Sequence, residues 1–457
     1  ATKIARHLII CTHAKIQSFI SIDCYSHAHY EENFMRRVLI VGGGATGLIV
    51  ATNLLRKSTK PTQISIADPR NSIGLGVAYS TADTGHVLNV PASRMSMFVD
   101  DSEHFMTWAG RDKNYFAPRK EYAQYLNATW RDAESESDVA NTEHIRMRVV
   151  DIQRETDSWL ASFSDGSSRS FDAVVLAIGH GEAFTLNSQI TSSSTYIADA
   201  WRETLPFTQG VLLGIGTGLT FVDHALSHLR RSDHNTVVGI SRNGLLPESH
   251  LPHRAEPLAV TAESRKSPES VRAFIEGAAD WRAAQDGIRH ELPEIWQSWS
   301  DNQKNQFLTQ DLRWWNVHRH RLAPEVAEEI GIAIKNGRLR VVATELLSLE
   351  DSENGSSARL ANGESVKVDV VLNCLGYRTP GDESLLGALF KSGVAARGPL
   401  NLGLRTNFPD FNVLAQDGNI HKDLFALGPV LFGERFETTA IPEIRVQAAS
   451  VVSSIIG

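Results

Sequence analysis

The sequence has little cysteine, no long apolar run and no excess of positive charge. Of its 457 residues only Cys11, Cys24 and Cys374 are cysteines, and no C-x-x-C pair occurs. That argues against dithiol redox chemistry and a disulfide-stapled framework, and favours a reducing, cytoplasmic setting. No apolar stretch is long enough to cross a bilayer, so no membrane span is expected. A formal charge of -8 argues against nucleic acid or an anionic membrane as the main partner. The length predicts two or three domains around separate cores.

Residues 1–34 read differently from the rest. Leu8-Ile9-Ile10 and Phe19-Ile20-Ser21-Ile22 are apolar, but His13, Lys15 and Gln17 interrupt them and no small-residue cleavage site follows. The segment is therefore not read as a signal peptide but as a loosely ordered extension ahead of a domain that begins near Met35.

What the chain does have is a glycine turn in full context. Arg36-Arg37-Val38-Leu39-Ile40-Val41 suits a buried parallel strand, Gly42-x-Gly44-x-x-Gly47 follows it, and Leu48 to Leu55 starts a helix. In such a turn the first glycine permits the tight bend and the second lets a pyrophosphate approach the backbone. The third lets helix and strand pack closely, with the helix N-terminus facing the phosphate charge. Ile64-Ser65-Ile66-Ala67-Asp68 reads as the second strand. Asp68 closes it about 20 residues past the glycines, where a carboxylate can accept from ribose hydroxyls. This stretch is a dinucleotide site.

A second copy follows. Val211-Leu212-Leu213-Gly214-Ile215 leads into Gly216-Thr217-Gly218, although the third glycine position holds Phe221. The next strand, Val237 to Ser241, ends at Arg242 rather than at an acid, and an arginine there can pair bidentately with a 2′-phosphate, as in NADPH. Each copy is followed by a β-meander and a buried strand ending at glycine. In the first, strands at Ile145–Val150 and Trp159–Phe163 precede Phe171 to Gly179; in the second, Leu339–Thr344 and Ala358–Leu360 precede Val368 to Gly376. The repeat predicts an α/β fold with two Rossmann-like dinucleotide-binding halves.

Between about Ser267 and Lys335 the chain turns helical and rich in tryptophan, as an insertion lying over the second half. Its end, Arg313-Trp314-Trp315-Asn316-Val317-His318-Arg319-His320-Arg321, admits three readings. His318 and His320 lack a third ligand at metal spacing. Arg313, Arg319 and Arg321 suit an anionic group of NADPH or substrate, or they are solvated cations on a helix with core aromatics. Near the C-terminus a short strand ends at Gly428-Pro429, and Pro442 opens a final helix with Glu443 in its first turn. Two readings are open for it: a helix N-terminus facing an electron-rich flavin ring, or a C-terminal helix that only docks.

Taken together, these motifs resemble the two-dinucleotide-binding-domain flavoproteins, and within them the FAD-NAD(P)-binding group similar to the amino-acid N-hydroxylating monooxygenases. The resemblance rests on both glycine turns, Gly74 to Tyr79, Leu88-Asn89-Val90-Pro91-Ala92, Pro118-Arg119-x-x-Tyr122, Val317 to Arg321 and Thr439 to Arg445. It covers the chain from about Met35 onward. It implies FAD on the first half, held by Gly42, Gly44, Gly47, Asp68 and Arg119, with Gly428 and Glu443 beside it. It implies NADPH on the second half, held by Gly216, Gly218 and Arg242, with Asn89 hydrogen-bonding near the reactive edge of the flavin. The domains expected are an FAD-binding one in two parts, 35–205 and 371–457, and an NADPH-binding one, 206–370, carrying the insertion at about 265–335. The activity implied is a monooxygenase that passes one atom of molecular oxygen to a small substrate, an amine nitrogen being the first choice. The alternatives are a reductase passing electrons to a protein or quinone, and a sensor that holds nucleotide without turnover. Two departures leave the substrate open. The Baeyer–Villiger signature is absent ahead of the second turn, where Tyr196 to Trp201 stands instead, and Leu88-Asn89-Val90-Pro91 replaces the Met-Gln segment of ornithine hydroxylases. Oligomeric state is left open as well.

Overall fold

The computed structural model describes residues 35–203, 209–251, 256–353 and 355–457. The extension expected at residues 1–34 lies outside them.

The first glycine turn sits where β1 (Arg36–Val41) passes into α1 (Ala45–Lys57), and β2 (Thr62–Ala67) returns parallel to β1. Val38 to Val41 are all buried, as a strand covered on both faces requires. After α2 (Arg119–Glu136) the chain adds β3 (Ala140–Ile145) beside β2. It then leaves the sheet for an antiparallel meander of β4 (Val149–Arg154), β5 (Trp159–Phe163) and β6 (Ser168–Phe171), and re-enters as β7 (Ala173–Leu176). The single strand expected over Ile145–Val150 is thus the junction of two. Ile145 ends its parallel pairing opposite Ala67, and Val149 begins pairing with Phe163.

The second half repeats the plan. β8 (Tyr196–Ile197) and β9 (Val211–Ile215) precede α3 (Leu219–Arg231), and β10 (Thr236–Ser241) lies parallel to β9. The helical insertion includes α4 (Trp281–Ser298) and α5 (Leu312–Arg319). A further helix, Pro324–Lys335, returns to cover this second sheet, its Val326, Ile330 and Ala333 packing with Phe221 and Val222. Next come β11 (Leu339–Ala343), the meander β12 (Leu346–Ser352), β13 (Gly355–Leu360) and β14 (Ser365–Val368), and then β15 (Val370–Asn373). The five-stranded sheet runs β11-β10-β9-β15-β8. Both edges of this unit therefore lie slightly outside the expected 206–370, because β8 and the whole of β15 pair within its sheet.

The chain then goes back to its beginning. β16 (Asn412–Leu414) and β17 (Ile420–Ala426) complete a six-stranded sheet of order β16-β17-β7-β1-β2-β3, and α6 (Ile441–Ile456) packs against α1. The insertion has its own core of Trp296, Trp299, Phe307 and Trp315, closed by Phe436 from the C-terminal segment. Trp296 donates to the Gly433 carbonyl at 2.8 Å and Trp315 to Glu437 at 2.9 Å, so the insertion is fastened to the segment that leads into α6. Of Trp314 and Trp315, for which one reading of the sequence had a core role, Trp315 is fully buried and Trp314 only partly.

Phe221 at the third glycine position has a steric explanation. A Cβ on Gly214 in β9 would meet the Phe221 ring at 2.3 Å, and one on Gly239 in β10 would meet it at 2.5 Å. The small residues have moved from helix to sheet, and the large one from sheet to helix. Phe221→Ala should therefore cost about 3–5 kcal/mol through the cavity it leaves, and Gly239→Ala about 1–3 kcal/mol through overpacking. Urea unfolding of both single variants and the double should show Gly239→Ala costing less in the Phe221→Ala background than alone.

Candidate functional site

Each glycine of the first turn does a separate steric job. Gly42 has φ +107°, and a Cβ there would lie 2.3 Å from the Ala177 carbonyl oxygen at the end of β7. A Cβ on Gly47 would lie 2.0 Å from the Gly42 oxygen, so α1 approaches β1 as closely as backbone allows. Gly44 is the open position, its nearest neighbour being the Gly76 Cα at 3.5 Å. No side chain caps α1 and no acid stands in its first turn, which leaves its leading amides for an anion. The Gly74–Tyr79 loop folds over this turn, Gly74 donating to the Gly43 carbonyl at 2.7 Å. Backbone, helix end and loop together fit a pyrophosphate.

Asp68 ends buried beside the turn, but its carboxylate is fully engaged. Oδ2 accepts from the Gly43 amide at 2.8 Å and Arg70 Nη2 at 2.6 Å, while Oδ1 accepts from Arg70 N and Nε at 2.9 Å each. Burial opposes its ionisation, yet Arg70 and the Gly43 amide outweigh it and hold the carboxyl below its ordinary value. A carboxylate has about four acceptor directions, and three of the bonds that fill them come from the half-exposed Arg70. Sequence reading missed Arg70.

Gly428 follows β17 with φ +81° and faces Thr46 of the first turn, where a Cβ would sit at 3.5 Å. Its amide donates to Gln447 at 2.8 Å and its carbonyl accepts from Thr438 at 3.2 Å. The start of α6 is thereby held against the first nucleotide turn. Glu443, in the first turn of α6, is ion-paired with Arg289 of α4.

In the second turn Gly216 has φ +92°, and a Cβ would meet the Cys374 carbonyl oxygen at 2.7 Å. Gly218, at the N-terminus of α3, has open space in front of it. Thr217 between them is buried, its hydroxyl 2.5 Å from the Leu245 carbonyl and 2.9 Å from the Ser241 hydroxyl. Arg242 stands exposed at the end of β10 and makes no ion pair among the described residues. The three cations at the end of the insertion separate. Arg319 pairs with Glu437 at 3.0 Å and Arg321 with Asp286 at 3.1 Å, each side chain less than 10% exposed, so these two are neither solvated nor free for an anion. Arg313 instead donates to the Thr217 hydroxyl at 2.8 Å. Among the described residues no cluster of His, Cys, Asp and Glu converges as a metal site.

The two halves meet through buried polar groups. Arg119, expected on FAD, opens α2 and pairs with Asp223 of α3 at 3.2 Å, the side chains only 11% and 8% exposed. Asn89 offers its carbonyl to His250 Nε2 at 3.0 Å, which bridges the same seam, while no bond of its side chain is present among the described residues. Beside Arg119, Ser227 lies between Asp83 and His86. Its hydroxyl donates to Asp83 at 2.5 Å and sits 2.9 Å from His86 Nε2. The serine proton is already committed to Asp83, so this trio is a structural bridge rather than a nucleophile and its base. His224 packs against His86 and Trp201 with both ring nitrogens buried and unpaired. The sequence did carry a signal for this seam, since Asp223 and Ser227 fall four residues apart and so share one face of α3.

Two predictions follow from the seam. Arg119→Met leaves Asp223 buried without its partner and should cost about 3–5 kcal/mol in chemical denaturation, more than the double variant Arg119→Met/Asp223→Asn. Burial pushes His224 down to about 3, and His250 and His320 down to about 4. The unfolded chain protonates these histidines near about pH 6.5, so their contribution is complete above that pH and declines as the pH falls toward 4. Asp223, raised by burial, acts in the opposite sense as its carboxyl protonates. The unfolding free energy should therefore drop between pH 6.5 and 4, and His224→Gln should flatten that slope.

Comparison with known proteins agrees with this geometry. Residues 39–181 match the FAD-NAD(P)-binding family. YdhS, an uncharacterized protein of Escherichia coli (strain K12), is 23% identical over 285 residues, covering 52% of this chain and 52% of its own. The chain thus spans about half the length of the curated relative it matches. In fold, the chain is similar to the FAD-bound cadaverine monooxygenase DfoA of Erwinia amylovora, with a TM-score of 0.62 and 13% identity over 93% of this chain and 95% of that one. It is also similar to the bacillithiol disulfide reductase of Staphylococcus aureus, with a TM-score of 0.55 and 13% identity over 92% and 98%. Residues 39–181 therefore carry an FAD-NAD(P)-binding domain, set within the Rossmann-like, two-sheet fold that this chain shares with flavin monooxygenases.

Proposed function

We propose that the protein is an FAD-dependent, NADPH-reduced monooxygenase that hydroxylates a small substrate, an amine nitrogen being the favoured target. One observation carries the reading. A single chain holds two sterically complete dinucleotide turns, each with an open glycine at a helix N-terminus, in a fold shared with an amine-oxidising enzyme. FAD is assigned to the unit formed by the first half and the C-terminal segment, on Gly42, Gly44 and Gly47, with Gly428 and the Glu443 end of α6 beside it. Asp68 takes the ribose once Arg70 swings out. NADPH is assigned to the unit between, on Gly216 and Gly218, with Arg242 toward the 2′-phosphate.

FAD, when bound, would supply the redox chemistry, hydride acceptance from NADPH and electron transfer to oxygen. The protein's part is to hold the two rings against each other and keep water away. Arg119 and Asp223 fix the two units relative to one another, so Arg119 acts on FAD by position rather than by contact. Asn89 lies half-buried at the same seam and is our candidate for a hydrogen bond near the flavin's reactive edge. Cys374, buried and unpaired, has its thiol pushed up by burial and takes no part. An unpaired thiol suits the cytoplasm, and no described helix is long and apolar enough to cross a membrane.

The test uses the purified full chain. It should be yellow, and NADPH should bleach it faster than NADH. In labelled oxygen gas, a panel of diamines and basic amino acids should yield a product heavier by one labelled oxygen atom. Bleaching by NADPH with all consumed oxygen recovered as hydrogen peroxide across the panel would make it a reductase. A protein that takes up no flavin would sink both enzyme readings.

A further inference from the structure

Arg313 is the one arginine of the insertion without a carboxylate. Among the described residues, every other arginine from Arg265 to Arg321 has one: Arg265 pairs with Glu291, Arg272 with Glu276 and Asp311, and Arg282 with Glu248. Arg289, Arg319 and Arg321, each only 6% exposed, pair with Glu443, Glu437 and Asp286. Arg313 is half-buried, and burial alone pulls its guanidinium below the ordinary arginine value. Withdrawing a cation from water without a countercharge is costly, so its placement calls for an anion that arrives from outside.

The position indicates which anion. Nη2 of Arg313 donates to the Thr217 hydroxyl at 2.8 Å, the Thr217 carbonyl at 3.3 Å and the Leu245 carbonyl at 2.5 Å. Thr217 is the middle residue of the second glycine turn, and its hydroxyl reaches Ser241, the last residue of β10. The end of that strand is where a Rossmann-like fold holds the adenosine ribose and, in NADPH, its 2′-phosphate. Only Nη2 is used by the protein. Nε and Nη1 make no bond among the described residues, and each is left to give a phosphate oxygen a single charge-assisted hydrogen bond.

The geometry points to Arg313, reaching across from the insertion, as the principal ligand of the NADPH 2′-phosphate, with Ser241 beside it and the exposed Arg242 as a secondary contact. This inference rests on the reading that the second turn binds a nicotinamide dinucleotide. It goes further in giving the choice of NADPH over NADH to a residue outside the nucleotide fold. It also makes the insertion part of the nucleotide site.

The experiment is calorimetric titration of the purified full chain with adenosine 2′,5′-bisphosphate and with 5′-AMP, which differ only in the 2′-phosphate. Wild type should bind the bisphosphate more tightly. Arg313→Ala should weaken the bisphosphate by about 10-fold to 100-fold, as expected for a lost charge-assisted pair, and leave 5′-AMP unchanged. Arg313→Lys should retain part of the preference, and Arg242→Ala should lose less than Arg313→Ala. If Arg313→Ala weakens both probes equally, Arg313 only braces the turn and the proposal falls; it falls also if neither probe is affected. Should Arg313→Ala not fold, Arg313→Lys decides, since a merely structural role predicts an unchanged ratio of the two affinities. Wild type that binds neither probe would overturn the nucleotide reading underneath, and this inference with it.

Discussion

The approach of α1 to β1 is the constraint from which the rest of the structure follows. With a Cβ at Gly47 standing 2.0 Å from the Gly42 oxygen, no side chain fits between helix and strand. That closeness aims the leading amides of α1 across the end of the sheet, where β7 and the loop at Gly428 close the cradle. It also determines what lies nearby. The Gly43 amide can reach Asp68, the Gly74 amide can reach the Gly43 carbonyl, and α6 can pack on α1 with its start tied back to Gly428. A nucleotide turn here is a packing solution first and a binding site as its consequence.

The second half meets the same need with the sizes exchanged. Phe221 on the helix fills space that Gly214 and Gly239 leave on the strands, so helix and sheet still interlock while Gly216 and Gly218 remain free for the ligand. The two turns therefore share their outward face and differ in their inward one. A motif scored on three glycines sees only half of that equivalence. The repeated meander and the return to a parallel strand show all of it.

How much was readable in the sequence depended on distance along the chain. The glycine turns, the doubled plan and the aromatic core of the insertion were legible because their determinants are local: spacing, alternation and apolar runs. The state of each charged group was not. Arg119 pairs with Asp223, 104 positions away, and Arg319 bonds to Glu437, 118 positions away. Nothing in the run from Arg313 to Arg321 says which cation owns a distant acid, and only the fold sorts them. Asp68 shows a subtler limit. Its role as a strand-end acid was legible, but its closure by Arg70 depends on a turn that brings a side chain back over its own backbone. The junction near 145 reads as a single strand for a related reason, because alternation marks strands without saying which sheet each one joins.

The order of strands in the first sheet carries a consequence for how the molecule is made. β1, β2, β3 and β7 are translated before the intervening unit, whereas β17 and α6, which complete their sheet and cover α1, are translated after it. The intervening unit has all its strands within 196–373 and has no such wait. Vectorial synthesis thus gives the inner unit a head start, and the outer one stays an open sheet with β7 as an edge until β17 has followed. The first cradle, one wall of which is Gly428 from that later segment, is therefore completed only after the second unit has been synthesised.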